Sequence, residues 1–538
     1  MHIISIFARD FKNFPMKNKY SYLIAFFAIV CITTFFSGKA LAQTRYLDIV
    51  FPDVSVTSDV VYGNNLSVMS GGPIPFDLKM DVYEPSGDIE TNRPVVIVMH
   101  TGNFLPAVYN GSPTGTKTDK AIVELCEQFS RRGYVAIAMT YRQGWDPLST
   151  IEEVRTGTIM NAAYRAVQDA HTCVRYLRMD VTLNGNTFGI DTSKFVIGGV
   201  GTGGYVSLGF DAFDDYSELE FTKFMDFTDP INPVPYIDTA LSGDFNGEWT
   251  RPLNTPSHTG YSNNANMIFN IGGAMGDSSW MTAGDLPIMS FHCINDPNAP
   301  YHYGAVIVPT TGGFVLDASG GHSVVWNSNN FGNNDAFANE TYTDCFSVRA
   351  NSINDGIKGL FPFQTPAPGS MTCTDGAGET EQGSPWDWWD EAVYIATANA
   401  VGKDGVLENC HALLSNPDMH EYKGKAYVDT IVGYLLPRMH KVLFGTYIDG
   451  VCYVGIDGSE GPSKVSIYPN PSANHITLAT EEIIRTVSLH DISGRLIYER
   501  TSINAKEFVL SKLGINTGMY FAKVTTDYGH VSTKIIFK

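Results

Sequence analysis

The sequence predicts an α/β fold, a mostly parallel sheet with helices on both faces, followed by a small all-β sandwich at the C-terminus. Continuous apolar runs such as "RPVVIVMH", "YVAIAMTYR" and "KFVIGGV" alternate with long amphipathic segments such as "TIMNAAYRAVQDAHTCVRYLR". An uninterrupted apolar run is typical of a strand buried on both faces, and its alternation with helices favours parallel βαβ units. Residues 465–538 instead show short alternating apolar and polar segments separated by turns, the pattern of a β-sandwich.

Residues 1–42 predict a secretory signal rather than a part of the fold. Two lysines precede an apolar run at 22–36, and the small residues Ala40 and Ala42 follow it. A charged segment, an apolar segment and an A-x-A site in this order are typical of a signal peptide, which we expect to be cleaved after Ala42. An uncleaved membrane anchor is the alternative.

The large domain follows as residues 43–453. An entry stretch that ends in "PFDLKMDVYEP" predicts antiparallel strands, and "AIVELCEQFSRRG" predicts a helix that stops at its glycine. The strand "LPIMSFHCIND" comes later, and the amphipathic "KGKAYVDTIVGYLLPRMHKVLF" predicts the helix that closes the domain. A linker at 454–464, rich in glycine and serine, leads to the sandwich at 465–538.

The composition limits the partners of the chain. Its 538 residues hold 56 acidic and 36 basic side chains, a net charge of -20 at pH 7. Because nucleic acid and anionic membrane surfaces would repel such a chain, we expect neither as a partner. No segment after the signal is apolar enough to span a bilayer. No cysteine spacing suggests a zinc site, and we expect neither a metal nor a cofactor.

Seven of the eight cysteines lie outside the predicted signal. Export to an oxidising compartment permits disulfides. Proximity in the sequence predicts the pairs Cys345–Cys373 and Cys410–Cys452. An odd number of cysteines leaves at least one free thiol unless one bridge is intermolecular.

The large domain resembles the α/β-hydrolase superfamily, specifically its carboxylesterase/lipase-like branch, from Leu78 to Leu443. "RPVVIVMHTGNF" resembles a strand leading into an HGGG-type oxyanion loop, and "GYVAIAMTYRQG" the strand that ends in Tyr-Arg. "AVQDAHTCVRYLR" resembles the helix before the nucleophile elbow. "IDTSKFVIGGVGTGG" stands where these enzymes read Gly-x-Ser-Ala-Gly-Gly, and "LPIMSFHCINDPNAPY" resembles the loop of the triad acid. The five segments follow one another in the family's order, which implies the hydrolysis of carboxylic esters.

The nucleophile position departs from the family's pattern, because Gly201 stands where the serine is expected. Three alternatives would keep an active site. Thr202 could act as nucleophile, although its flanking Val200 would crowd the turn. Ser207 lies one turn into the helix. A water molecule could instead be activated by Asp296 and a histidine. Since the family tolerates serine at this point, we expect Gly201→Ser to fit sterically.

The resemblance implies the other members of the site. Backbone N–H groups of Gly102, Asn103 and Thr202 match the oxyanion donors. Asp296, at the end of a buried strand, matches the triad acid.

Two histidines are candidates for the catalytic base: His322 in "DASGGHSVVW" and His411 before "ALLSNPDM". His302 follows the acid too soon. The last predicted strand, "GLFPFQTPAPG", has no histidine after it.

The segment "SPWDWWDE" places three tryptophans together. Exposed, they would form an apolar or carbohydrate-binding wall; buried, they would be core.

The C-terminal module resembles the type A sorting domain of the Bacteroidetes type IX secretion system. The resemblance rests on "YPNPSANHITL", "DISGRLIYE", "LGINTGMYFAKV" and the terminal "KIIFK". It implies that residues 465–538 bind the secretion machinery and that the chain crosses the periplasm and the outer membrane. The protein is then released or held at the cell surface. An appended binding module is the alternative.

Two functional hypotheses follow. The first is a pseudoenzyme: a secreted protein on an esterase scaffold that binds a hydrophobic ester or glycan ligand, or acts at the cell surface, without hydrolysis. The second is an active ester hydrolase with an atypical nucleophile or an activated water. The resemblance of the fold does not decide between them, because fold does not fix function.

Overall fold

The computed structural model describes residues 43–450 and 465–538, apart from 108, 111, 309–311, 418, 491–495, 513 and 527–528. The predicted signal at 1–42 and the predicted linker at 454–464 lie outside the described residues.

An eight-stranded sheet forms the centre of the large domain, in the order β1-β2-β4-β3-β5-β8-β10-β13. Only β2 runs against the others, because it pairs antiparallel with both β1 and β4 while the remaining pairs are parallel. This order, with the second strand reversed, is that of the α/β-hydrolase fold, and it confirms the predicted fold class. The strands are β1 (Val54–Ser67), β2 (Ile74–Pro85), β3 (Arg93–Met99), β4 (Val135–Met139), β5 (Ile190–Val200), β8 (Met267–Ile271), β10 (Ile288–Cys293) and β13 (Leu360–Phe363).

Both faces of this sheet are covered, as the apolar runs predict. All residues of β3 and β4 are buried. Along β3, Val95 and Ile97 belong to one hydrophobic core, whereas Val96 and Val98 belong to the other. Since successive side chains of a strand point to opposite faces, an uninterrupted apolar run supplies both cores at once.

Ten α-helices are described, and none of them combines the length and apolar character that a membrane crossing needs. They are α1 (Lys120–Ser130), α2 (Glu152–Leu183), α3 (Thr202–Ala212), α4 (Thr239–Ser242), α5 (Gly321–Asn330), α6 (Asp335–Ala338), α7 (Cys345–Asn351), α8 (Glu391–Ala400), α9 (Gly405–Leu414) and α10 (Glu421–Phe444). Buried residues of α2 and α3 join one core, and those of α1 and α10 join the other.

The large domain also contains two small sheets that are separate from the central sheet. Antiparallel pairing joins β11 to β12 and β12 to β9, and a short pair is formed by β6 and β7. Their bounds are β6 (Met225–Asp226), β7 (Val234–Pro235), β9 (Ala274–Met275), β11 (Tyr303–Ile307) and β12 (Phe314–Gly320). Short 3-10 helices lie at Tyr216–Glu220, Thr222–Phe224 and Ser278–Trp280.

The C-terminal module is an antiparallel all-β unit. The long strand β15 pairs with β17 along its first half and with β16 and β18 along its second half, across a register shift. Alternate residues of these strands, such as Ile476, Leu478 and Leu489, form a separate core. The strands are β14 (Ser466–Tyr468), β15 (His475–His490), β16 (Leu496–Arg500), β17 (Ala505–Ser511), β18 (Gly518–Thr526) and β19 (Gly529–Phe537).

A disulfide joins Cys373 to Cys410, with the two Cα atoms 5.8 Å apart. The predicted pairs Cys345–Cys373 and Cys410–Cys452 are therefore wrong. Proximity along the chain does not report which segments fold against each other, and the segment after β13 lies beside α9. Three further cysteines carry free, buried thiols: Cys126, Cys173 and Cys293.

Candidate functional site

Gly201 lies at the tip of a sharp turn between β5, which ends at Val200, and α3, which begins at Thr202. Its φ of 54° and ψ of -117° are values that side-chain-bearing residues rarely adopt. The amide of Gly201 donates to the carbonyl of Ile271, at 2.8 Å, and so holds the turn against the end of β8. The local geometry is that of a strand-to-helix elbow.

Two flanking glycines are required by close backbone approach. A Cβ added to Gly199 would lie 2.1 Å from the carbonyl oxygen of Gly203. A Cβ added to Gly203 would lie 2.3 Å from the carbonyl oxygen of Met99, at the end of β3. The glycines two positions before and after Gly201 therefore serve packing, independently of any chemistry at the tip.

The space beside Gly201 is filled by Thr101. A Cβ added to Gly201 would lie 2.1 Å from Thr101 Oγ1 and 2.9 Å from Thr101 Cβ. Turning the hydroxyl away does not make room, because the Cβ contact remains shorter than any ordinary packing distance. The expectation that Gly201→Ser fits sterically is therefore wrong. The second position of the HGGG-like loop, a glycine in the family's pattern, carries a side chain here.

The loop that matches the oxyanion loop has an unusual backbone. Gly102, Asn103 and Phe104 follow one another with positive φ angles of 121°, 54° and 53°. The loop is fixed from outside, since Trp145 Nε1 donates to the carbonyl of Asn103 at 2.6 Å. The amides of Gly102, Asn103 and Thr202 donate to no group within the described residues. The described fold thus leaves the hydrogen-bonding capacity of these three amides unused.

A buried aromatic pair supports this loop. The ring of Tyr141 stacks on that of His100 with centroids 4.6 Å apart, and its hydroxyl donates to the His100 carbonyl at 2.8 Å. The same hydroxyl lies 3.1 Å from Thr202 Oγ1. Burial lowers the pKa of His100 to about 4, so this imidazole is uncharged at neutral pH.

The hydroxyls proposed as substitute nucleophiles have partners of their own. Thr202 Oγ1 contacts Tyr141. Ser207 is fully buried, and its hydroxyl lies 2.9 Å from the Gly204 carbonyl and 3.1 Å from that of Phe269. By contrast, Thr101 Oγ1 makes no hydrogen bond to a described residue.

Asp296 lies beyond the carboxyl end of β10, where the sequence predicts the acid. Its Oδ1 accepts hydrogen bonds from the amides of Asn298, at 2.8 Å, and Ala299, at 3.2 Å. Burial raises the pKa of Asp296 to about 7, and these two amides oppose that rise.

The imidazole nearest to this acid is His292, which precedes it in the chain. Its Nε2 lies 3.6 Å from Asp296 Oδ2 and 3.2 Å from the Ala299 carbonyl. Its Nδ1 accepts from the amide of Gly321 at 3.3 Å. Burial lowers the pKa of His292 to about 4. Sequence reasoning missed His292 because the family's chain order requires the base to follow the acid.

Neither predicted base forms a triad in the structure. His322, in the first turn of α5, packs its ring against His302, with centroids 4.2 Å apart, and against Tyr301. His411, on α9, places Nε2 at 2.8 Å from Asp375 Oδ2 at an exposed site. No hydrogen bond joins either imidazole to Gly201, Thr202 or Asp296 among the described residues.

The segment after β13 brings an acidic side chain that the sequence did not predict. A Cβ added to Gly383 would lie 2.7 Å from Asp296 Oδ1, so this segment passes directly over the acid. Four residues later, Asp387 is buried and makes no hydrogen bond through its carboxyl group to a described residue. Burial, and next the charge of Asp119, raise the pKa of Asp387 well above its usual range. In the sequence, only the position of Asp387 after the last predicted strand could have pointed to this residue.

Two of the three clustered tryptophans belong to the core. Trp386 is 1% exposed and Trp388 is 7% exposed, so they do not form an exposed binding wall. Trp389 donates from Nε1 to Asn409 Oδ1 at 3.0 Å.

Among the described residues, one group has donor atoms close enough together for a metal ion: Cys373, Asp375 and His411. Because the sulfur of Cys373 is engaged in the disulfide, it cannot act as a thiolate ligand. A histidine and one carboxylate remain, too few for a protein-built site.

Comparison with known proteins identifies the C-terminal module. Residues 466–538 match the family described as "Secretion system C-terminal sorting domain". The module is thus a sorting domain, which confirms the predicted export to the cell surface or the medium. No relative is found among curated protein sequences.

Solved structures similar to the chain include esterase 2 of Thermogutta terrifontis in several states. Its paraoxon-phosphorylated form is 19% identical, with 47% of this chain and 74% of that chain covered and a TM-score of 0.28. Its propionate-bound form is 19% identical, with 46% and 75% covered and a TM-score of 0.28. The native form is 19% identical, with 48% and 77% covered and a TM-score of 0.28. We therefore assign the α/β-hydrolase fold from the strand order of the central sheet and not from these similarities. The chain is an exported protein with an α/β-hydrolase fold.

Proposed function

We propose that this protein is a pseudoenzyme that does not hydrolyse esters and that acts outside the cell as a ligand-binding or surface protein. One observation carries the proposal: Thr101 Oγ1 lies 2.1 Å from the point where a Cβ on Gly201 would stand. The volume that a nucleophilic serine needs is therefore occupied by another side chain. A site that had lost only its serine would leave this volume empty.

The surroundings of the elbow support the same conclusion. Acyl transfer needs a nucleophile hydrogen-bonded to a base and a base oriented by an acid. His292 lies beside Asp296, but both of its ring nitrogens already have backbone partners. Loss of a triad that acts as a unit lowers kcat by about 10⁶. The open amides of Gly102, Asn103 and Thr202 could still bind a carbonyl or carboxylate oxygen of a hydrophobic ester or glycan ligand.

Hydrolysis of p-nitrophenyl acetate and butyrate by the full chain tests the proposal. We expect rates equal to those of the buffer and of a Thr101→Val variant. Turnover by the wild type that disappears in Thr101→Val, a variant of nearly equal volume, would overturn the proposal.

A second candidate function follows from the same contact, because Thr101 could replace the serine as a nucleophile from the neighbouring loop. Its hydroxyl occupies nearly the same space, but no base within hydrogen-bonding distance activates it. A fluorophosphonate probe separates the two functions. Covalent labelling of Thr101, mapped by peptide mass spectrometry and absent in Thr101→Val, would favour the hydrolase; an unlabelled wild type favours the pseudoenzyme.

A water-activating hydrolase is also testable, since a pKa of about 7 suits Asp296 to general-base catalysis near neutral pH. Its turnover would rise with pH through about 7 and vanish in Asp296→Asn. We expect no such activity.

We further propose that processing removes both ends of the chain. The mature protein would begin near Gln43 and lack the module after about Pro462, once residues 465–538 have engaged the type IX machinery. The intact mass of the protein recovered from the medium measures this. A mass that includes Phe537 would exclude removal of the module while leaving export in place.

A further inference from the structure

A cavity of about 70 Å³ lies at the end of the sheet opposite the elbow. Lys358 forms part of its wall and comes just before β13 begins, whereas Gly201 comes just after β5 ends. Because β5 and β13 run in the same direction in one sheet, the cavity and the elbow lie at opposite ends of the strands. The lining includes Phe337, Tyr342 and Arg438. The cavity has room for several times the volume that one water-sized probe needs.

Arg438 is a buried cation in the lining of this cavity and is only 3% exposed. Its guanidinium lies between the rings of Tyr434, at 3.6 Å, and Tyr342, at 4.1 Å. Nη1 donates to the Tyr434 carbonyl at 2.8 Å, and Nη2 donates to Ser347 Oγ at 3.1 Å. With both faces covered by rings, the remaining N–H groups can donate only in the guanidinium plane.

No carboxylate among the described residues lies within 4 Å of the Arg438 guanidinium. Buried cations normally have an anionic partner. Asp344 is linked to Arg438 only indirectly, because Ser347 Oγ accepts from Arg438 Nη2 and donates to Asp344 Oδ2 at 2.6 Å. Glu340, also in the lining, is paired with Lys441.

Two other residues of the lining carry hydrogen-bond donors. The hydroxyl of Tyr342 is buried and has no hydrogen-bond partner among the described residues. A buried hydroxyl without a partner is uncommon and calls for an explanation. Lys358 adds a second positive charge at the exposed rim. The cavity thus combines a buried guanidinium, an unpaired hydroxyl and an ammonium group.

We propose that this cavity binds a small oxyanion, either a carboxylate or a sulfate, held by Arg438, Tyr342 and Lys358. A planar guanidinium edge matches the paired oxygens of such anions, and charge-assisted hydrogen bonds of this kind are strong. The bound anion would complete the hydrogen bonding of Tyr342 and give Arg438 a direct anionic partner. This distal anion site is independent of the chemistry at the elbow.

Isothermal titration calorimetry of the full chain with sodium sulfate, and separately with sodium acetate, tests the site. Sodium chloride at equal ionic strength controls for screening. We expect saturable binding of sulfate, acetate or both; the arm that saturates at the lower concentration identifies the class of anion. Tyr342→Phe removes one hydrogen bond to a charged ligand, and we expect Kd to rise about tenfold. Lys358→Gln should raise Kd about threefold, because its charge is solvent-screened.

The control variant is Lys120→Gln, which removes an exposed lysine from α1. It should leave Kd unchanged. Arg438→Lys should abolish binding, but it also perturbs the core, so Tyr342→Phe and Lys358→Gln are the deciding variants. Absence of saturable binding of either anion, or an equal effect of Lys358→Gln and Lys120→Gln, would refute the site and leave a cavity filled by water.

Discussion

Two histidine–aspartate pairs in this molecule use the same residue types in opposite surroundings. His292 and Asp296 are buried beside the elbow, 3.6 Å apart. His411 and Asp375 are exposed, 2.8 Å apart. Burial lowers the pKa of His292 to about 4 and raises that of Asp296 to about 7, so both are uncharged near pH 5.5. The backbone hydrogen bond from Ala377, and next His411, lower the pKa of Asp375.

The comparison teaches that solvent access, rather than residue type, decides whether such a pair carries charge. The two places are also stabilised in different ways. The elbow is held by glycine packing and by Thr101 against Gly201. The exposed pair is held by the disulfide between Cys373 and Cys410, next to His411. Variants at both places test this contrast.

Gly201→Ser should destabilise the protein by about 4 kcal/mol, the sum of backbone strain and overpacking against Thr101. Thr101→Gly opens the space, so the double variant should recover the overpacking part, about 2 kcal/mol. Urea unfolding of the four proteins measures the coupling. Additive effects of the two changes would mean that Thr101 does not fill the serine volume.

Replacing Cys373 and Cys410 together by alanine should lower the free energy of unfolding by about 3 kcal/mol, since the bond closes a loop of 37 residues. Thermal unfolding of this variant and of a Cys173→Ala control, which removes a buried free thiol, gives the comparison. A double-alanine protein as stable as the wild type would show that packing alone holds this corner.

The buried pair predicts two opposed pH dependences. The folded protein keeps the Asp296 proton up to about pH 7 while the unfolded chain releases it near pH 4, so this group lowers stability as pH rises between these values. Unfolded His292 takes a proton near pH 6.5 and folded His292 only near pH 4, so this group raises stability over that range.

Each slope is at most about 1.4 kcal/mol per pH unit, and the two largely cancel from pH 4 to 6.5. Asp296→Asn should leave stability rising with pH, and His292→Gln should leave it falling. Denaturant unfolding at pH 4.5, 5.5 and 6.5 measures how the free energy of unfolding of each protein changes with pH. Parallel pH profiles for both variants would contradict the assignment of neutral partners.

The exposed pair predicts the smallest effect. Asp375→Asn and His411→Gln should leave the thermal midpoint nearly unchanged, because solvent and salt screen an exposed ion pair. The measurement is repeated at low and high salt, with the wild type alongside. A loss as large as that of the disulfide variant would show that this pair is structural.

The hydrophobic pattern of the sequence was enough to predict the fold class of both folded parts. The apolar runs of β3 and β4 supply two cores at once, and this pattern alone predicts a sheet covered on both faces. The alternation in residues 465–538 predicts the all-β module in the same way. The motif around Gly201 also located the elbow, because the tight turn requires glycine at 199, against Gly203, and at 203, against the end of β3.

The side chain that occupies the elbow could not be predicted before the packing of the chain was known. Thr101 and Gly201 are a hundred positions apart, and no local pattern reveals that the side chain of one fills the space left by the other. The partners of His292, His411 and Cys410 were equally hidden, since contacts across the fold depend on how distant segments pack. Burial sets the pKa values of His292 and Asp296 for the same reason: desolvation is a property of the packed protein, and the order of residues along the chain does not contain it.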